Sequence, residues 1–207
     1  MGTRVRFLFD MDGTVTAAET LPLVAAHYGI MGDVEALTGM AVAGDIPYEE
    51  SLRRRVALLA GLPVDEVSRV VASAPLHEHI ARFIIKHHDQ CAIVSSNLDC
   101  WCHDLVGALG CPAYFSRARV DGNRVGRVEW ILRKQDVVDA YKAQGETVVF
   151  VGDGHNDLEA MSHAHVAIAV GLLPGAPAAS LVAAAHHVFT DEKALCRMLE
   201  SMCAAAS

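Results

Sequence analysis

Four short apolar runs constrain the fold of this chain more than any other feature of its sequence. They are VRFLF, CAIVSS, TVVFVG and VAIAV, which start at Val5, Cys91, Thr147 and Val166. Each is rich in β-branched residues, nearly continuous in hydrophobicity, and followed by a polar or glycine-containing turn. Strands that are buried on both faces have this pattern, and helical periodicity separates the runs. We therefore expect an α/β fold with a doubly wound, mainly parallel sheet.

The elements between these strands can also be predicted. Asp121, Gly122 and Asn123 separate two short runs within residues 117–128, which predicts a β-hairpin. Helical periodicity is visible in five further segments, at residues 98–109, 134–144, 156–163, 176–185 and 191–203.

The segment between the first two strands is far longer than one crossover helix needs. It has helical periodicity interrupted by Pro and Gly, as in PYEESLRRRVALLAGL. We expect a small helical cap inserted after the first strand. Residues 16–75 would form this cap, and residues 1–15 and 76–207 would form the α/β core.

Composition restricts the partners of the protein. The chain has 207 residues, is 52% hydrophobic and has a formal net charge of −8, which favours a sizeable core and argues against a nucleic-acid interface. No apolar run approaches the roughly 18 residues of a membrane span, so we expect no membrane partner. The six cysteines lack the regular spacing of a secreted disulfide framework, which predicts reduced thiols and a cytoplasmic location. The sequence leaves a homodimer open.

Polar residues recur where the predicted strands end. In an open α/β sheet, ligands bind outside the carboxyl ends of the strands, which all lie at one edge. Three strand ends and the start of one helix bring carboxylates, hydroxyls, an amide and an ammonium group to this edge, from Asp10, Asp12, Ser95, Ser96, Asn97, Lys134, Asp153 and Asp157.

The charges of this set indicate its chemistry. At an effective dielectric constant near 20, two carboxylates about 4 Å apart repel each other by about 4 kcal/mol. Four such groups are difficult to hold without a divalent cation, and all-oxygen ligands favour Mg²⁺. Lys134 and Ser95 are better suited to phosphate, with backbone N–H groups at the following helix N-terminus. The sequence therefore predicts a site for a phosphoryl group beside Mg²⁺.

The same residues carry a resemblance to a known family. DMDGT, the strand-terminal Ser95, Lys134 and GDGHND, in this order, resemble the four motifs of the haloacid dehalogenase superfamily of phosphohydrolases. The resemblance covers nearly the whole chain. Within the superfamily, the insert is similar to the helical cap of the phosphoserine phosphatase subfamily, from Glu19 to the stretch YEESLRRRVALLAGLP.

This resemblance implies a reaction and roles for the core residues. Asp10 would attack phosphorus to form an aspartyl-phosphate, and Asp12 would act as general acid and then general base. Mg²⁺ would be held by Asp10, the backbone carbonyl of Asp12, and Asp153, with Asp157 close behind. The phosphoryl oxygens would be bound by Ser95, Ser96 and Lys134.

The resemblance also implies a substrate-binding set in and beside the cap. Glu19 would bind a substrate ammonium group, Arg55 its carboxylate, and Tyr48 would form a wall of the pocket. Asn97 and Asn156 complete the set. The chain departs from the subfamily in two places, because Ser96 and Asn97 replace a glycine pair and His155 replaces a small residue.

Three functions are consistent with these residues. The leading hypothesis is a Mg²⁺-dependent phosphomonoester hydrolase that acts on phosphoserine or a similar small phosphorylated metabolite. The second is a phosphotransferase that passes the phosphoryl group to a small alcohol such as homoserine. The third, of another class, is a non-catalytic regulator that is phosphorylated on aspartate.

Two other metal sites fit the sequence poorly. A calcium-binding EF-hand loop needs glycine at its sixth position and glutamate at its twelfth, whereas the loop that starts at Asp10 has Gly13 fourth and Leu21 twelfth. Cys100, Cys102 and His103 lack a fourth ligand and the usual spacing of a zinc site.

Overall fold

A computed structural model describes residues 4–43, 45–175 and 177–206. Its described residues form a seven-stranded sheet with strand order β4-β3-β2-β1-β5-β6-β7. The strands are parallel except for the β3–β4 hairpin, which confirms the predicted α/β class. Their bounds are β1 Val5–Phe9, β2 Cys91–Leu98, β3 Ala113–Asp121, β4 Arg124–Trp130, β5 Thr147–Gly152, β6 Val166–Val170 and β7 His187–Phe189.

Helices follow most of the strands. The short helix over His155–Asp157 is of the 3₁₀ type and leads directly into α8. The helix predicted at 134–144 is confirmed, whereas the one predicted at 176–185 is shorter than expected. The α-helices are α1 Thr20–His27, α2 Met31–Ala43, α3 Tyr48–Leu59, α4 Val64–Ala72, α5 Glu78–Lys86, α6 Asp99–Gly107, α7 Lys134–Ala143, α8 Leu158–His163, α9 Ala179–Ala184 and α10 Glu192–Ala206.

The sheet separates two apolar layers. Phe7 and Phe9 of β1 face a cluster that includes residues of α5, α6 and α10, whereas Leu8 faces a second cluster with residues of α7, α8 and α9. This alternation is the period-2 pattern of a strand that is covered on both faces. The doubly wound arrangement predicted from the sequence is therefore present.

The four strands predicted from apolar runs are confirmed, but the sheet is larger than predicted. β2 continues to Leu98, so Ser96 and Asn97 lie in the strand and not in a turn after it. The predicted hairpin is present, with Gly122 at a φ of 64°, and the first part of β3 also pairs with β2. β7 was not predicted, because it has only three residues and is largely exposed.

Four helices, α1 to α4, lie between β1 and α5. A short antiparallel bridge joins Thr16 to Leu76 at their base, where the Ala17 N–H donates to the Pro75 carbonyl at 2.7 Å. This bridge brings the two ends of the segment together. The division into a cap of residues 16–75 and a core stays a prediction.

No helix within the described parts of the chain combines the length and the apolar character that a bilayer crossing requires.

Candidate active site

The parallel strands bring two aspartates to the same edge of the sheet. Phe9, the last residue of β1, pairs with Val151 of β5, and the Asp10 N–H donates to the Val151 carbonyl at 2.9 Å. Asp153 follows β5 directly, as Asp10 follows β1. Both aspartates are buried.

Lys134 is the cation of this site. It is 2% exposed, and its Nζ donates to Asp10 Oδ1 and to Asp157 Oδ1, each at 2.6 Å. Burial alone would lower the pKa of Lys134, but the two carboxylates outweigh burial and raise it above its usual value. The lysine therefore carries a fixed positive charge beside Asp10.

Three buried carboxylates form a cluster that fits a divalent cation. Each of Asp10, Asp153 and Asp157 offers an oxygen atom, and these atoms lie within 4.8 Å of one another. Burial, followed by repulsion from Asp157, raises the pKa of Asp10 well above its usual value and that of Asp153 to about 7. One lysine does not neutralise three carboxylates, and oxygen-only donors are typical of sites for hard divalent ions.

The carboxylates of this cluster are held in place by neighbouring donors. The Thr14 hydroxyl donates to Asp153 Oδ1 at 3.2 Å, and the N–H groups of Asp153 and Gly154 donate to Asp157 Oδ2 at 3.1 Å. Gly13 lies close to the cluster at a φ of 74°, and a Cβ atom there would overlap the Asp153 carboxylate. Glycine is therefore required at position 13, both because φ is positive there and because a side chain would have no room beside Asp153.

The Asp12 carboxylate lies outside this cluster and has different partners. Its Oδ1 accepts the N–H of Thr20 at 2.7 Å and the Thr20 hydroxyl at 2.5 Å. Asn97 Nδ2 in turn donates to the Thr20 hydroxyl at 2.9 Å. Burial raises the pKa of Asp12, and the hydrogen bonds from Thr20 act against this shift. Asp12 is thereby oriented by the first helix of the insert.

A cavity of about 260 Å³ lies between the strand ends and helices α1 to α3. Arg55 reaches this cavity and is 7% exposed, with its guanidinium carbon 5.8 Å from the centre of the Tyr48 ring. No carboxylate among the described residues forms an ion pair with Arg55. The lining consists of Asp10, Asp12, Glu19, Leu21, Thr38, Ala41, Tyr48, Leu52, Arg55, Ser95, Ser96, Asn97, Asp153, Gly154, His155 and Asn156.

The neighbours of Arg55 in SLRRRV do not share its position. The Arg53 guanidinium donates to the Val128 carbonyl at 3.3 Å, and Arg54 pairs with Glu50. Both are exposed, whereas Arg55 lies on the buried face of α3. Of these three arginines, only Arg55 lines the cavity, and it is the one to which the family resemblance assigned the substrate carboxylate.

Glu19 is the acidic counterpart of Arg55 in the cavity. It precedes α1, and burial, followed by repulsion from Asp12 and Asp153, raises the pKa of Glu19 to about 8. Glu19 lines the cavity but is exposed to solvent, and a nearby cation stabilises the ionised form of such a carboxyl group.

Ser95, Asn97 and His155 also line the cavity, and they differ in their hydrogen-bond partners and exposure. Ser95 Oγ accepts the Asn97 N–H at 3.2 Å, and Asn97 uses its own carboxamide for Thr20 and the Leu98 N–H. His155 lies at the exposed rim, where its Nδ1 is 2.9 Å from Ser180 Oγ. Asn97 therefore holds other groups of the site in position.

Thr14 and Thr20 donate hydrogen bonds to Asp153 and Asp12, respectively, but were missed from the sequence. Thr14 directly follows Gly13 in DMDGT, so its position beside the aspartates was a usable signal. The sequence signal for Thr20 was weak. Thr20 lies eight residues after Asp12, and its contact with Asp12 depends on where α1 begins.

Comparisons with known proteins agree with the family that the motifs indicate. Residues 7–162 match the haloacid dehalogenase-like hydrolase family. The chain is 31% identical over 206 residues to phosphoserine phosphatase from Halobacterium salinarum, which covers 93% of this chain and 95% of that protein. It is 31% identical over 185 residues to phosphoserine phosphatase SerB2 from Mycobacterium tuberculosis, and this match covers 83% of this chain but only 45% of that protein.

A solved structure resembles the fold of this chain over nearly the full length of both chains. It is described as a phospho-aspartyl intermediate analogue of phosphoserine phosphatase, and it matches with a TM-score of 0.79 and 25% identity. The match covers 96% of this chain and 99% of that one.

Proposed function

Since the chain belongs to the haloacid dehalogenase-like hydrolase family, we propose that it is a phosphatase that hydrolyses O-phosphoserine through an aspartyl-phosphate on Asp10. One arrangement carries the proposal: the buried Asp10 carboxylate is bound to Lys134 at a cavity that is also lined by Glu19 and by Arg55, whose guanidinium has no ion-pair partner among the described residues. The relatives named phosphoserine phosphatase support the choice of substrate.

In the first step, an Asp10 oxygen attacks phosphorus and the bond from phosphorus to the serine oxygen breaks. Lys134, which is bonded to Asp10, and Ser95, which lines the same cavity, would bind the phosphoryl oxygens, and the ammonium charge would stabilise the charge that develops on them. Covalent catalysis divides one difficult displacement into two easier ones.

Asp12 transfers the protons in both steps. Its raised pKa suits a group that first protonates the leaving serine oxygen and then removes a proton from the attacking water. Thr20 holds Oδ1 of Asp12 in place, which leaves the other carboxylate oxygen for the proton transfers.

We propose Mg²⁺ as the divalent cation. Asp10, Asp153 and Asp157 would hold it together with the backbone carbonyl of Asp12, and their oxygen-only ligand set suits Mg²⁺. When bound, the ion supplies positive charge that neutralises the carboxylates and the phosphoryl oxygens.

The cap residues would recognise the amino-acid part of the substrate. The planar guanidinium group of Arg55 suits a carboxylate, with which it can form two parallel hydrogen bonds. Glu19 suits an ammonium group, because a cation in the cavity lowers the raised pKa of Glu19 and ionises it. We propose a cytoplasmic location and leave a homodimer as a prediction.

The experiment that tests the proposal is phosphate release from a panel of phosphomonoesters with Mg²⁺, with and without EDTA. The panel contains phosphoserine, phosphothreonine, phosphohomoserine, sugar phosphates and nucleotides. We expect EDTA-sensitive turnover with preference for phosphoserine. Preference for an ester without an amino-acid group would overturn the roles of Glu19 and Arg55 but leave the phosphatase. A stable phosphoprotein without turnover would favour the regulator.

A further inference from the structure

The outer edge of β4 is an exposed part of the sheet that the proposed hydrolysis does not use. β4 is the last strand on its side of the sheet, so no strand of the described chain pairs with this edge. The backbone N–H and C=O groups along such an edge can bind an extended polypeptide as an additional strand. One of them has a side-chain partner, because the Arg53 guanidinium of α3 donates to the Val128 carbonyl at 3.3 Å. The edge is therefore suited to a polypeptide partner.

The β3–β4 hairpin is positively charged, although the chain as a whole has a formal net charge of −8. Its four arginines outnumber its two acidic residues. Two of the arginines have partners within the hairpin, since Arg119 pairs with Asp121 and Arg127 pairs with Glu129. The other two, and one arginine of α3, form no ion pair within the described residues: Arg117, Arg124 and Arg53. This surface therefore attracts carboxylates and repels a second copy of itself.

Trp130 adds a large apolar side chain to this charged surface. It is the last residue of β4, it is 46% exposed, and it lies opposite Arg117 in the ladder with β3. Charged side chains are enough to protect an edge strand from pairing with other copies, so an exposed indole is not needed for that purpose. Tryptophan and arginine are enriched among the residues that dominate the binding energy of protein interfaces. Their combination at an unpaired strand edge indicates a binding surface.

We propose that the basic edge, which consists of β4 together with Arg53 and Arg117, binds an acidic segment of a partner protein in extended form along β4. Successive side chains of a strand point to opposite faces of the sheet. An acidic segment with alternating apolar residues therefore offers carboxylates to the arginines and an apolar side chain to Trp130. None of the described residues that line the cavity of the candidate active site belongs to the basic edge, so binding there does not depend on the proposed hydrolysis.

The test is to measure the binding of labelled peptides of equal length by fluorescence anisotropy at low ionic strength. We expect a peptide of alternating Glu and Val to bind saturably, and to dissociate as added salt screens the charges. A peptide of alternating Lys and Val is expected not to bind, because its charge has the wrong sign. A peptide of alternating Glu and Pro keeps the negative charge, but proline has no N–H group and fits poorly into a strand, so we expect at least about tenfold weaker binding.

Two substitutions test whether the peptide binds at the basic edge. Trp130→Ser and Arg124→Glu are each expected to weaken binding of the Glu-Val peptide about tenfold. Arg197→Glu is the matched control, since it makes the same change of charge at an exposed position of α10, which packs against β1 and β7. Thermal unfolding shows whether each variant is folded, and if Trp130→Ser is not, the comparison of Arg124→Glu with Arg197→Glu decides.

Three results would overturn the proposal. The first is the absence of saturable binding of the Glu-Val peptide, whether or not the protein binds anionic lipid vesicles. The second is equal binding of the Glu-Val and Glu-Pro peptides, or an equal loss in Arg124→Glu and Arg197→Glu, because attraction by charge alone would explain either. The third is a dimer in light scattering that is lost in Trp130→Ser, which would assign the edge to a second copy of the chain.

Discussion

Thr20 donates both its backbone N–H and its hydroxyl group to a single oxygen of Asp12, at 2.7 and 2.5 Å. Thr20 opens α1 and Asp12 follows β1, so this pair connects the insert to the catalytic edge of the sheet. The backbone N–H also belongs to a helix N-terminus, where a carboxylate is favourable. The helices between β1 and α5 therefore orient the carboxylate that we propose as the general acid–base, in addition to lining the cavity.

Replacement of Thr20 by valine tests this connection. Thr20→Val keeps the shape and the backbone N–H but removes the hydroxyl hydrogen bond to Asp12 and the acceptor for Asn97. We expect kcat to fall about tenfold with little change in KM, because the Asp12 carboxylate becomes less well oriented. Thr38→Val is the control, since Thr38 lines the same cavity but its hydroxyl donates to the Val34 carbonyl. Equal effects in the two variants would contradict the orienting role.

The two aspartates that we propose as catalytic, Asp10 and Asp12, are expected to differ when each is changed to asparagine. Asp10→Asn removes the nucleophile, so turnover and covalent labelling by phosphate both fall by at least about a thousandfold. Asp12→Asn keeps the nucleophile but removes the proton transfer, and it slows both steps about a hundredfold. Mass spectrometry of rapidly quenched enzyme measures the labelling. Wild-type activity in Asp10→Asn would show that the nucleophile is another group.

Arg55→Ala is expected to raise KM for phosphoserine about tenfold or more, because a charge-assisted hydrogen bond to the substrate carboxylate is lost. KM for an aryl phosphate without a carboxylate is expected to change little. Arg54→Ala is the matched control, since Arg54 is exposed on the same helix and pairs with Glu50. Comparable increases for both substrates in Arg55→Ala would rule out recognition of the carboxylate.

The sequence was sufficient to predict the edge of the sheet where the polar side chains of the candidate site meet. Asp10 and Asp153 follow apolar strands, and parallel strands necessarily bring their carboxyl ends to the same side. Lys134 was predictable because a helix begins there. Each of these features can be recognised in a short stretch of sequence, and the parallel sheet then brings the residues close together.

Contacts that depend on packing between distant segments were not predictable in this way. The hydrogen bond from Asn97 to Thr20 depends on how α1 is positioned relative to β2, and no local sequence pattern specifies that position. The short strand His187–Phe189 was missed because its residues are largely exposed, so that it lacks the apolar pattern of the buried strands.

The buried carboxyl groups predict how pH and metal act on stability. Burial first, and then repulsion from neighbouring carboxylates, raises the pKa of Asp10 well above its usual value and that of Asp153 to about 7. A carboxyl group whose pKa is raised by folding stabilises the protein fully below its unfolded pKa and loses this effect as pH rises through its folded pKa. Without metal, Asp153 therefore lowers stability progressively between about pH 4 and about pH 7, and Asp10 acts in the same direction.

A divalent cation opposes this loss, because it binds the ionised carboxylates. We expect the increase in Tm on adding saturating Mg²⁺ to be larger near pH 8 than near pH 6, since fewer protons compete with the metal at the higher pH. Thermal unfolding with Mg²⁺ or with EDTA at each pH measures the difference. Asp153→Asn is expected to reduce it, whereas Asp191→Asn, at an exposed position outside the cluster, is expected to leave it unchanged. An equal Mg²⁺ effect at both pH values would mean that these carboxyl groups do not hold the metal.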